Sequence, residues 1–100
     1  MTMINSNNGS VSVGTSLVLI SESKTVSQRV RLILTNTSTG GQTISLAMDG
    51  QAVAGAGLVL SPGGSMGWEV QSNIPVPQGR VTAIGSGAGG TLAIYEEVLQ

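Results

Sequence analysis

The segment running from Arg29 to Thr35 reads RVRLILT, with Val30, Leu32 and Leu34 on one side and Arg29, Arg31, Ile33 and Thr35 on the other. A period of two is the signature of an extended strand, because successive side chains point to opposite faces; a helix would scatter these apolar residues around its circumference. The same alternation recurs at Val11 and Val13, at Ile44, Leu46 and Met48, at Met66, Trp68 and Val70, and at Val81, Ala83 and Gly85. The run Leu17 to Ile20 is continuously apolar and predicts a strand buried on both sides, while Leu58 to Leu60 and Thr91 to Leu99 predict a short and a closing strand. No segment carries a helical stripe with caps.

Turn chemistry separates these segments. Asn36 to Gly41 (NTSTGG) and Ser61 to Ser65 (SPGGS) combine Pro, Asn and Gly as turns require. Asp49-Gly50 predicts a hairpin with residues 51–53 as its return, and Gly85 to Gly90 predicts a mobile hairpin loop. Pro75 and Pro77 exclude a central strand around residues 73–78. Strands and turns together predict an all-β fold of about seven or eight short strands, a small antiparallel β-sandwich or jelly-roll-like barrel. Residues 1–10, rich in Asn and Ser, predict a flexible N-terminal arm, and residues 11–100 a single sandwich domain.

Composition narrows the function. His and Cys are both absent, which removes Ser-His-Asp and Cys-His nucleophilic systems, disulfides and most transition-metal sites. Of the five acidic residues, Glu96 and Glu97 stand adjacent, and on a strand they diverge instead of facing one substrate. Gly85 to Gly90 matches G-x-G-x-x-G literally, but only residues 91–100 follow it, too few for the second half of a dinucleotide-binding βαβ unit. Asn8-Gly9-Ser10 and Asn36-Thr37-Ser38 match the glycosylation pattern and read more simply as turn residues. The expectation is a non-enzyme with no catalytic residues, cofactor or metal.

Partners follow from charge and core size. Only 9% of residues are charged, the net charge is −1, and the aromatics are Trp68 and Tyr95 alone. Nucleic-acid binding by clustered Lys and Arg is not expected. The longest apolar run is far too short for a membrane-spanning helix, and residues 1–10 do not read as a signal peptide. A light aliphatic core without disulfide or zinc predicts stabilisation by association. Arg29 and Arg31, expected on one strand face, and Trp68 are the candidate partner contacts. Trp68 also reads as the largest core side chain, or as an exposed anchor for a partner or sugar.

The blocks RVRLILTNTSTGGQTISLAM, GAGLVLSPGGSMGWEV and RVTAIGSGAGGTLAIYEE resemble small β-domains of tailed-phage virion proteins, especially head decoration or cement proteins. The resemblance spans roughly residues 29–96 and is one of pattern: an N-T/S turn, an L-x-PGGS turn before an aromatic strand, and a closing glycine hairpin ending in Glu. It implies a virion structural protein on the capsid surface, assembled in the host cytoplasm, that binds the major capsid protein or other virion subunits. It also implies a homo-oligomer, such as a trimer, bracing adjacent capsid subunits. The alternatives are a tail, neck or receptor-binding fibre module and a small sugar- or ligand-binding domain.

Overall fold

A computed structural model describes residues 4–24, 28–69 and 75–99. Eight strands follow in order: β1 (Ile4–Val13), β2 (Val18–Ser21), β3 (Gln28–Asn36), β4 (Ile44–Met48), β5 (Leu58–Leu60), β6 (Ser65–Glu69), β7 (Val81–Gly85) and β8 (Gly90–Leu99). They form two four-stranded antiparallel sheets, β1-β8-β3-β6 and β2-β7-β4-β5. The chain changes sheet at every connection except β4 to β5. This strand order is a jelly roll, one of the two architectures expected from the alternating pattern.

The core lies between the sheets. Leu32 and Leu34 of β3, Leu92 and Ile94 of β8, Ile44 and Leu46 of β4, and Val81 and Ala83 of β7 all bury there. In β8 burial follows the period of two from end to end. The fully buried apolar residues are all aliphatic; Trp68 is half-buried and packs against the margin of this cluster. Its edge strand, β6, explains the placement: Trp68 pairs with Leu32 and faces inward, but it has a neighbouring strand on one side only.

Several segments depart from the sequence expectations. Residues 4–10 are not a loose arm: they continue β1, which pairs with β8 over ten consecutive residue pairs from Ile4↔Leu99 to Val13↔Gly90. Residues 1–3 lie outside the described residues. Ladder hydrogen bonds come from the backbone, so a polar Asn/Ser strand joins a sheet as readily as an apolar one when a neighbour of matching length is present. The run Leu17 to Ile20 is not buried on both sides; Leu17 and Leu19 are exposed, because the outer face of edge strand β2 is left uncovered there.

Asp49-Gly50 does not close a two-residue hairpin. Asp49 adopts the left-handed conformation (φ 62°), and residues 49–57 fold over the outer face of the second sheet before β5 returns. Thr82 holds this loop down: its hydroxyl donates to Gly50 O at 2.8 Å and accepts from Ala52 N at 3.0 Å. The Gly85 to Gly90 run is likewise not a hairpin loop within one sheet but the crossing from β7 to β8. A Cβ on Gly90 would lie 2.6 Å from Val13 O, so only glycine lets β1 approach this corner.

Asn36 organises the corner between β3 and β4. Its side chain is fully buried; Nδ2 donates to Leu60 O (2.8 Å) and Gln42 O (2.9 Å), while Oδ1 accepts from Ser38 N (3.0 Å). Its backbone N and O bond Gly64 O and Gly63 N of the SPGGS turn. One residue therefore ties together the two neighbouring sheet crossings.

Candidate functional site

Two β-bulges decide where the charged residues go. In β3, Arg29 pairs with Val98 and Arg31 with Glu97, so one extra residue is accommodated between them. A second irregularity lies between Leu19 and Ser21 of β2. A bulge re-aims the side chains beyond it. Arg29 is consequently turned inside, with its side chain fully buried, while Arg31 stays outside with 43% of its side chain exposed. The expectation that both arginines share one face is overturned, and Arg29 has no surface to offer a partner.

Inside, the Arg29 guanidinium meets Glu96, the inward member of the Glu96/Glu97 pair. Nε donates to Glu96 Oε2 at 2.7 Å. Nη1 donates to Pro77 O and Gly79 O, and Nη2 to Ser21 Oγ and Glu22 O. All five N–H bonds of the side chain thus have acceptors. Glu96 Oε2 also accepts from Ser21 Oγ at 2.7 Å, and Lys24 Nζ lies 3.7 Å from Oε1. Gln78 closes the cluster from the backbone side: its Oε1 accepts from Arg29 N, and its Nε2 donates to Arg29 O and Val76 O. Burial pushes the Glu96 carboxyl toward a higher pKa, but the Ser21 and Arg29 hydrogen bonds and the Arg29 and Lys24 charges outweigh it, leaving the pKa below the ordinary glutamate value. The cluster clamps residues 21–24 and 75–80 onto β3 and β8, and every group in it is occupied in doing so.

The outer face of the first sheet carries the remaining strand charges. Arg31 bridges Glu69 on β6 (3.0 Å) and Glu97 on β8 (3.1 Å), and Tyr95 Oη donates to Glu97 Oε2 at 3.1 Å. Beside them a shallow cleft of about 290 Å³ is lined by Arg31, Ile33, Gly67, Trp68 and Glu69. Gly67 opens it, since a side chain there would press on Ile33, its cross-strand partner. Of the predicted contacts, Arg31 lies on this outer face, Trp68 borders the cleft but turns its side chain inward with Leu32, and Arg29 is removed to the interior. Glu96 and Glu97 diverge, one into the core and one outward. Among the described residues no group of three or more acidic, His or Cys side chains is placed to hold a metal ion.

The outer face of the second sheet has the opposite character. None of β2, β4, β5 or β7 contains a charged residue. Ser45 and Thr82 point outward but are covered by the loop of residues 49–57, with Gly55 N donating to Ser45 Oγ at 2.9 Å. The large hydrophobic residues exposed among the described ones are Leu17 and Leu19 at β2, Val59 on β5 and Val53 on that loop. The sequence reading missed this face because it treated Leu17 to Ile20 as core; the absence of charge from all four strands was the available signal.

No protein-family model matches the chain, and no curated protein matches it. A solved structure described as "Bacillus endospore appendages form a novel family of disulfide-linked pili" is similar in fold. Its TM-score is 0.60 at 18% sequence identity, covering 98% of this chain and 86% of that one. At that identity the likeness concerns the fold. The present chain contains no cysteine, so disulfide linkage has no counterpart in it.

Proposed function

We propose that the protein is a non-catalytic structural subunit that works by docking against other subunits of an extracellular or virion assembly. The observation that carries this reading is the outer face of the second sheet, charge-free across four strands and presenting Leu17, Leu19, Val53 and Val59. Exposed apolar side chains bordered by strands without charge lose little on desolvation and gain by burial. The sparse charge of the whole chain and the fold likeness to a pilus protein support the same reading.

A narrower form, supported by the resemblance of its strand-turn blocks to those of head decoration proteins, has this face on a capsid surface, where the protein braces neighbouring subunits. Self-polymerisation into an appendage is the second form, supported by the pilus likeness. Sedimentation and negative-stain microscopy of the purified protein, with and without capsids, separate them: capsid co-sedimentation supports decoration, and filaments of the protein alone support the appendage. A monomer that neither binds capsids nor assembles overturns the proposal. Leu19→Lys with Val59→Lys is expected to abolish docking while leaving the circular-dichroism spectrum and melting midpoint near wild type, because both side chains are already exposed.

A further inference from the structure

The four sheet edges are unequal. β2, β5 and β6 offer four, three and five residues, and β2 is interrupted by its bulge. β1 offers ten, paired to β8 without a register shift. Edge strands are normally protected from further pairing by shortness, bulges, Pro or charge. β1 (INSNNGSVSV) has none of these. Its residues 6–10 are exposed, and among the described residues its outer edge has no neighbouring strand.

We infer that β1 is an association edge, pairing antiparallel with β1 of a second copy about a two-fold axis and joining the two β1-β8-β3-β6 sheets into one of eight strands. This rests on the assembly reading above and names one of its contacts. Length selects the occupant: among the described edges of this chain, only β1 can match ten residues. Charge permits it, since an isologous contact sets β1 against its own copy and β1 holds no charge to be repelled there. Antiparallel pairing centred on one residue near the middle of the strand joins up to nine of the ten residues and adds about nine backbone hydrogen bonds. The Asn and Ser side chains of residues 6–12 remain in water on both faces, so the contact requires none of them to be buried.

The test combines oligomer mass with cross-linking. Asn8→Lys with Ser10→Lys introduces edge charges on the face shared with Tyr95 and Ala93. Analytical ultracentrifugation is expected to show a dimer for the wild-type protein and for Leu19→Lys/Val59→Lys, and a monomer for the edge variant with unchanged circular dichroism. Because the chain has no cysteine, single-cysteine variants scanned across residues 6–12 give an independent readout should the lysine variant fail to fold. Two-fold pairing sets one residue opposite its own copy, so disulfide-linked dimer should peak at a single position and fall at its neighbours. A wild-type monomer at every concentration, a dimer surviving both lysines, or cross-linking without a peak overturns the inference. If the lysine-resistant assembly is lost in Leu19→Lys/Val59→Lys instead, the docking proposal stands while the β1 edge fails.

Discussion

Glu96→Gln is expected to destabilise the protein by roughly 3–5 kcal/mol, the usual cost of removing one partner from a buried ion pair. Gln preserves shape and keeps one acceptor oxygen for Ser21 and Arg29, so the loss reports chiefly the charge: Arg29 would remain fully buried with no counter-charge in contact. At about 4–8 °C per kcal/mol for a domain of this size, the melting midpoint should fall by more than about 12 °C. Arg29→Met should be at least as damaging, because it also strips donors from the carbonyls of Pro77, Gly79 and Glu22. The double variant Arg29→Met/Glu96→Leu is expected to recover part of the loss, since an apolar pair replaces the charges while those three carbonyls stay unpaired.

The same cluster sets a pH dependence. The folded pKa of Glu96 is lowered, so its contribution is complete above the unfolded glutamate value of about 4.3 and is lost as pH falls through the lower folded value. Thermal melts across the acid range should therefore show the wild-type midpoint dropping below about pH 4.3. Glu96→Gln should show a shallower drop over the same window. Equal slopes in the two proteins would remove Glu96 from the account.

Asn36→Leu is the second large effect expected, on the order of 3 kcal/mol. Leucine keeps the branched outline, though it is bulkier, and leaves Leu60 O, Gln42 O and Ser38 N without their side-chain partner, each buried group costing about 1–3 kcal/mol if water cannot replace it. Chemical denaturation measures it: the midpoint should fall with an unchanged slope. A loss below about 0.5 kcal/mol, typical of ordinary surface substitutions, would show that the corner does not depend on this residue.

Strand content was legible because burial on one face writes a period of two into the side chains, and β3, β4, β6 and β7 all carry it. Turn positions at NTSTGG and SPGGS were legible for a similarly local reason, the φ preferences of Gly and Pro. What those turns connect was not. A hairpin and a crossing between sheets use the same residues, so Gly85 to Gly90 was assigned to the wrong kind of connection, while Asp49-Gly50 does join two paired strands of one sheet, through a loop of residues 49–57 instead of a two-residue turn. β1 was missed over residues 4–10 because its polar side chains carry no pattern; the strand exists through the β8 backbone beside it.

The candidate contacts show the same division. Trp68 and Arg31 both border one cleft, but the Leu32↔Trp68 and Arg31↔Glu69 pairs put their side chains on opposite faces of the sheet. Arg29 was misplaced because simple alternation from Leu32 puts it outside, and one bulge reverses that. By itself the sequence determined the all-β class, the aliphatic core and the divergence of Glu96 from Glu97, since each depends on residue type and the pleat of a single strand. Only the tertiary structure decided which arginine is buried, which sheet is free of charge and which edge is long enough to pair. Those depend on registers between strands distant in the chain, where a shift of one residue exchanges inside for outside.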